Sequence, residues 1–330
     1  MLMNFMQDYV GNNMNRIKIK LDDFLSIENL LTAFYDCKRS KRSKRETLYF
    51  EFNLGKEISK LYRELKDGTY KRSIYCCFYV YEPKERLILQ PKLRDLVVQR
   101  LIYNAIYDEV DKRLFYHSYG VRKERGMHKA SKLAQRFMKS SDKEKYYLQL
   151  DIRKFFFSIS REKFKEMLDY FFKDTKLKEL MFNFIGEEGG IAIGNLLSGI
   201  FGMMFLSRLD FYIKHKLGIK KYIRFMDDFV IFDVDNDYAL QLKEQIEEYI
   251  KQFGLSFSKI RIQKIKSGIN FIGFRTFQHY RLIRKRSIKN FKKAVKTNNI
   301  SSKTSILGHA LGTSSYKYLK EYERVYNEIL

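Results

Sequence analysis

The chain has 330 residues, with 64 Lys plus Arg against 39 Asp plus Glu and a formal net charge of +25 at pH 7. That surplus calls for a polyanionic partner, nucleic acid or an anionic membrane surface, while 45% apolar residues supply a sizeable core and exclude the signature of disorder. Three cysteines, Cys37, Cys76 and Cys77, exclude a disulfide framework, lack zinc-site spacing and fit a reducing cytosol.

Met1–Val10 already carries Asn4, Gln7 and Asp8, so no secretory signal is expected there. The most apolar stretch, Ile191–Leu206, is interrupted by Gly194, Asn195 and Ser198. It falls short of the roughly 20 apolar residues of a membrane span and reads as a buried element. With only two prolines, Pro83 and Pro91, and no Gly/Ser-rich linker, the chain reads as one continuous body with subdomains.

In chain order, Ser26 predicts the cap of a helix with Ile27, Leu30, Leu31 and Phe34 on one face. Lys38–Arg45 reads as a solvated basic loop. Phe78–Tyr81 is a short strand ended by Glu82-Pro83, with Arg86–Leu89 as its hairpin partner, and Leu96–Leu114 is an amphipathic helix. Tyr147–Ile152 is a strand carrying Asp151, and Ser160–Phe172 a helix. Gly194–Leu209 is expected as a long apolar helix, Tyr222–Met226 and Phe229–Phe232 as strands flanking Asp227-Asp228, Tyr238–Phe253 as a helix and Ile269–Phe277 as a strand. From Asp151 onward this order describes a ferredoxin-like split unit, an antiparallel sheet with helices on one face.

Two adjacent carboxylates between apolar strands repel each other and lose hydration, for which a divalent cation compensates; a plain hairpin turn is the alternative. Asp151 lies 76 residues before Asp227 and ends the other apolar strand. In a split unit that strand neighbours the hairpin, so the three acids are expected at one edge. There they can hold two Mg²⁺ ions for an in-line phosphoryl transfer.

Tyr222-Ile223-Arg224-Phe225-Met226-Asp227-Asp228-Phe229 resembles the central acidic box of reverse transcriptases, with Phe225 where Tyr is usual. Leu150-Asp151-Ile152-Arg153-Lys154-Phe155-Phe156-Phe157-Ser158-Ile159 resembles their first palm motif, and Ala192-Ile193-Gly194-Asn195-Leu196-Leu197-Ser198 the palm helix that cradles template and incoming nucleotide. His117-Ser118-Tyr119-Gly120-Val121-Arg122 is similar to the fingers motif, and Gly268-Ile269-Asn270-Phe271-Ile272-Gly273-Phe274 to the strand leading into the primer grip. The resemblance runs from Leu21 to Tyr316. It implies an α+β right-hand polymerase fold: an N-terminal extension and fingers over 1–145, a palm over 146–274 and a helical thumb over 275–330.

Within that family the sequence resembles the enzymes of diversity-generating retroelements through Ile193, Gly194 and Ser198, the Tyr81-Glu82-Pro83-Lys84 start and Leu307-Gly308-His309-Ala310. It departs in Gly199, where that branch has a Gln tied to error-prone copying of adenine, and in Leu96, where Arg is usual.

The resemblance implies that Asp151 and Asp227 ligate both metals, Mg²⁺ with Mn²⁺ able to substitute, with Asp228 as a third ligand and the Ile152 carbonyl as a backbone ligand. Phe156 matches the steric gate against a 2′-hydroxyl; a core phenylalanine beside Phe155 and Phe157 is the alternative. Lys259 aligns with the lysine that protonates pyrophosphate, or is a surface lysine. Gly194 and Ser198 would cradle the nucleotide. Arg86 and Arg122 are candidates for triphosphate or template contacts, with structural ion pairs as the alternative. Ser287 is expected to cap a helix whose Lys289, Lys292, Lys293 and Lys296 track the primer–template backbone, or simply form a soluble surface. The five histidines show no ligand spacing.

The implied function is RNA-dependent DNA polymerisation in the cytoplasm, on a structured template RNA with a primer and dNTPs. It implies a small, basic, multimeric accessory protein and no membrane, and no ribonuclease H domain is expected after the thumb. Two readings compete: an antiphage-defence reverse transcriptase making faithful, repetitive or untemplated DNA, and a catalytically inactive RNA-binding scaffold.

Overall fold

The computed structural model describes residues 15–39, 41–81, 85–186 and 189–329. The expected Met1–Val10 opening and Glu82-Pro83-Lys84 lie outside the described residues. In chain order the elements are α1 (Leu21–Phe24), α2 (Ile27–Lys38), α3 (Arg45–Phe52), α4 (Leu54–Lys66), β1 (Cys76–Val80), β2 (Arg86–Gln90) and α5 (Leu93–Asp111). Then come β3 (Ser118–Tyr119), α6 (Met127–Lys139), β4 (Tyr146–Ile152), α7 (Phe155–Ser158), α8 (Arg161–Phe171), α9 (Thr175–Phe182), α10 (Ser198–Phe205) and α11 (Ser207–Phe211). They are followed by β5 (Tyr222–Phe225), β6 (Asp228–Val234), α12 (Asn236–Lys251), β7 (Phe257–Lys264), β8 (Ile269–Phe271), β9 (Phe274–Thr276) and β10 (Arg281–Ile283). Three helices, α13 (Lys285–Lys296), α14 (Ile300–Ala310) and α15 (Ser314–Ile329), close the described chain.

These elements form two compact units, one of the described residues within 15–116, 153–212 and 249–256, the other of those within 117–152, 213–248 and 257–329. In the first, α2 packs on α5, and Leu30, Ala33 and Phe34 of α2 recur at helical spacing and are fully buried. Ser26 Oγ accepts from the Asn29 N–H at 3.1 Å, the cap its sequence predicts. Asp95 of α5 is buried, and its carboxylate accepts from Tyr70 Oη at 2.6 Å and the Ser73 N–H at 3.1 Å, tying the segment before β1 to the helix. The α8 helix is capped by Ser160 and meets α10 through Phe164 and Phe201, edge to face with centroids 5.0 Å apart.

The second unit is built on a five-stranded sheet of order β3-β5-β6-β4-β7, antiparallel except for the β3–β5 pair. Its fifth strand, β7, is absent from the sequence reading, which takes Ser258-Lys259-Ile260-Arg261 only as a motif segment. The apolar stripe of α6 (Ala130, Leu133, Ala134, Met138) packs with Tyr147, Ile223, Val230 and Phe232 of the sheet and with Ile269 and Phe271 of β8. The single strand expected over Ile269–Phe277 is a tight hairpin of β8 and β9, because Ile272 and Gly273 take φ of +44° and +91°. With β10 this hairpin forms a separate three-stranded sheet. Helices α13, α14 and α15 share a core of Phe291, Val295, Ala310 and Leu319 with Phe274 and Ile283. The first of them starts at Lys285 with no side-chain cap, so Ser287 lies in its first turn and does not cap it.

Candidate active site

In the second unit, β4 lies between β6 and β7. Asp151 pairs in register with Asp228 on one side and with Lys259 on the other. Directly paired residues face the same side of a sheet, so two acids and a lysine form one row across three strands. Asp227 precedes β6, and its carbonyl accepts from the Ile152 N–H at 3.3 Å. Ser258 Oγ donates to Asp151 Oδ2 at 2.5 Å.

The turn that delivers the acids is Met226-Asp227, with Asp228 already the first residue of β6. Met226 adopts φ +55°, a left-handed conformation uncommon for this residue type. Backbone and buried side chains hold it there. The Met226 N–H donates to the Tyr119 carbonyl at 3.1 Å, and Arg224 Nη1 donates to the Met226 carbonyl at 2.9 Å. The Met226 side chain lies so close to Gly120 that a Cβ there would come within 2.9 Å of Met226 Cγ.

Burial pushes the Asp228 carboxyl up to about 7, and Asp151 and Asp227 act in the same direction; the Gln149 amide and Lys259 pull it down. Lys259 is lowered by burial, against the upward pull of Asp228. Gln149 is fully buried two positions before Asp151, on the same face, and its Nε2 reaches Asp228 Oδ1 at 3.0 Å. Among the described residues, no group of three or more His, Cys, Asp or Glu side chains is arranged to hold a metal ion.

A second set of sequence-predicted residues lies in the first unit. The Phe156 ring packs against α10, where a Cβ on Gly202 would sit 3.1 Å from Phe156 Cε1, and against Phe155 with centroids 5.2 Å apart. The segment 191–197 is a pinned loop, so the expected helix over Gly194–Leu209 begins only at Ser198. Its backbone bonds go elsewhere: the Ile191 N–H to the Phe156 carbonyl at 2.7 Å, and the Ile193 carbonyl to the Leu89 N–H at 2.8 Å. Gly194 takes φ +124° with the Leu89 carbonyl so close that a Cβ would stand 2.5 Å from it. Ser198 Oγ donates to the Ala192 carbonyl at 2.6 Å. From α5, buried Gln99 accepts the Leu196 N–H at 2.7 Å and donates to Asn195 Oδ1 at 3.1 Å.

Residues 71–276 match the family model of reverse transcriptase (RNA-dependent DNA polymerase). The chain belongs to the reverse transcriptase family. No curated protein matches it. Among solved structures, this reverse transcriptase is similar to apo telomerase from Candida tropicalis truncated from its C-terminal domain, at 12% identity over 64% of this chain and 55% of that chain, with a TM-score of 0.48. It is likewise similar to apo telomerase from Candida tropicalis, at 12% identity over 74% and 56% with a TM-score of 0.48. A third is telomerase from Candida albicans in complex with a TWJ fragment of telomeric RNA, at 12% identity over 68% and 51% with a TM-score of 0.47. The chain spans about half the length of the telomerase chains it matches. With its family membership, the mixed α+β chain carries the right-hand polymerase fold.

Within this reverse transcriptase the remaining expected site residues fall in different surroundings. Arg86 is exposed at the connected end of the β1–β2 hairpin, paired in register with Val80. Arg122 is buried, with Nη1 donating to the Ser118 carbonyl and Oγ, both at 3.0 Å. On α13, Lys289, Lys293 and Lys296 are exposed, whereas the Lys292 ammonium lies over the Tyr318 and Tyr322 rings at 5.4 and 4.8 Å. Sequence reasoning passed over Gln99, Gln149, Arg224 and Ser258. Gln149 and Arg224 carry one available signal: a single polar residue within an apolar run.

Proposed function

We propose that this reverse transcriptase copies RNA into DNA by attack of a primer 3′-hydroxyl on the dNTP α-phosphate, with Asp151, Asp227 and Asp228 at the reacting phosphate. The observation that carries this reading is the register of Asp228, Asp151 and Lys259 across three strands. The donors fit a hard divalent cation: all are oxygens, and Asp228, whose carboxyl burial pushes up to about 7, needs added positive charge to stay ionised at neutral pH. With their side chains turned to converge, an arrangement they do not take here, Asp151, Asp227 and Asp228, with the Ile152 carbonyl, would hold two Mg²⁺, or Mn²⁺ in their place. Bound there, the cations would polarise the phosphate oxygens and stabilise charge on the attacking and leaving oxygens.

Lys259 stands in the same row, and burial lowers its hold on the proton, which suits an ammonium donating to leaving pyrophosphate. Phe156, fixed against α10, serves as the steric gate under the sugar, and the pinned loop around Gly194 and Ser198 holds the nucleotide. Lys289, Lys293 and Lys296 track the template–primer backbone.

The likeness at Ile193, Gly194 and Ser198 supports a diversity-generating retroelement, with a structured template RNA and a small, basic, multimeric accessory protein in the cytoplasm. Gly199, in place of the Gln of that branch, favours a second reading: an antiphage-defence enzyme making faithful, repetitive or untemplated DNA. Sequencing of the RNA and DNA that co-purify with the chain from its host, beside Asp227→Ala, tests both. Complementary DNA altered at template adenines is expected of the first reading and faithful or repetitive DNA of the second. Identical nucleic acids in both samples overturn polymerisation and leave an RNA-binding scaffold.

A further inference from the structure

Gln149 is an amide in the middle of an apolar strand, 0% exposed, with no solvent to satisfy it. Its Nε2 lies between two acceptors, the Asp228 carboxyl group, at 3.0 Å to Oδ1 and 3.4 Å to Oδ2, and the Asn270 carbonyl of β8, at 3.2 Å, which can only accept. Two acceptors fix the orientation of the amide, since a flipped Gln149 would turn its oxygen toward both. In this orientation Gln149 Oε1 is buried without a hydrogen-bond partner. A buried polar atom left unmatched is costly, and a leucine or methionine would fill the same space without that cost. What neither could do is present two hydrogens to a carboxylate and a backbone carbonyl from one fixed point.

We propose that Gln149 is the positioning residue for Asp228: it holds the carboxylate facing the metal-binding side of the row and anchors it to the backbone of β8. This rests on the reading of Asp151, Asp227 and Asp228 as the metal-holding acids. Gln149 touches neither substrate nor metal and acts through Asp228. Groups that hydrogen-bond to a metal's ligands set the ligands' orientation, and their loss weakens metal binding on the order of 10- to 100-fold.

The test measures Mn²⁺ binding directly, from the loss of the free-ion EPR signal, in the full chain complexed with template RNA, a dideoxy-ended primer and the matching dNTP, so that no turnover occurs. Gln149→Met keeps the volume and removes both donors, and Gln149→Glu keeps the shape while facing Asp228 with a carboxyl group. Both are expected to weaken Mn²⁺ binding on the order of 10-fold. In primer extension both should lower kcat more than they raise the KM for primer–template. Wild-type Mn²⁺ binding in whichever variant is folded by circular dichroism overturns the proposal. Asp227→Ala separates the two readings. If it loses Mn²⁺ while folded Gln149 variants keep it, only the positioning role fails; if it also binds Mn²⁺ as wild type, the metal-holding acids fail too, and the positioning role with them.

Discussion

Arg224 donates from Nη1 to the carbonyl of Met226, only two residues ahead, at 2.9 Å and from a fully buried position. A guanidinium inside a sheet, bonded to the carbonyl just before Asp227, stabilises a turn whose Met226 φ of +55° is otherwise unfavourable. Arg224→Met should therefore lower stability by about 1–3 kcal/mol, the cost of a buried acceptor left unmatched. It should lower kcat far more than it raises the KM for primer–template. Urea unfolding and steady-state primer extension check the two effects, and an unchanged kcat in a folded variant would argue against the turn as the controlling element.

The elevated Asp228 carboxyl makes the metal-free protein sensitive to pH. Its folded value is about 7, against about 3.9 in an unfolded chain. Between those values the folded state holds the extra proton, so this contribution to stability is fully present below about pH 4 and is lost as pH rises through 7. In EDTA, wild type should lose stability relative to Asp228→Asn between pH 5 and pH 8, and Mg²⁺ should oppose that loss by favouring the ionised carboxylate. Thermal unfolding of both proteins across this range, with and without Mg²⁺, gives the answer.

Phe156 packs against the face of α10 where Gly202 has no side chain. Phe156→Ala opens that space and should reduce discrimination between dNTP and NTP by about 10-fold or more, the scale of steric selection in a shaped pocket. Single-nucleotide incorporation of each sugar type is the measurement. Unchanged discrimination would leave Phe156 as a core residue beside Phe155.

Gln99 reaches from α5 to the Leu196 N–H and the Asn195 side chain. Gln99→Ala leaves those groups unmatched at about 1–3 kcal/mol and frees the loop around Gly194. The expected result is a raised KM for dNTP, with template RNA affinity near wild type. Filter binding of template RNA beside dNTP titrations separates the two. A loss confined to RNA binding would remove the loop from the nucleotide site.

The central strands were legible because Asp151 and Asp227-Asp228 interrupt otherwise apolar runs, and Ser26 and Ser160 marked helix starts that the structure keeps. The strand carrying Lys259 was not recognised. Within Phe257–Lys264 only residues 259–263 alternate polar and apolar, and the polar pairs Ser258-Lys259 and Gln263-Lys264 blur the period that would mark a strand. The helix expected from Gly194 fails because three separate elements claim the backbone of 191–197, which local periodicity cannot express. The same holds for the buried amides. The partner of Gln99 lies 96 residues away, at Asn195, and that of Gln149 lies 79 away, at Asp228. A lone glutamine in an apolar run, as at Gln149, signals that a partner exists without naming it, and Gln99, beside Arg100, lacks even that signal.

The row formed by Asp228, Asp151 and Lys259 exists only through strand pairing, and adjacent positions on a strand face opposite sides. Inserting or deleting one residue within β4 would turn Asp151 to the far face while every residue of the motif remained in the gene. Apart from the Met226-Asp227 turn, the loops that join these strands carry no such constraint and tolerate changes in length. Natural length variation should therefore concentrate in those loops, with β4, β6 and β7 held to a fixed count of residues.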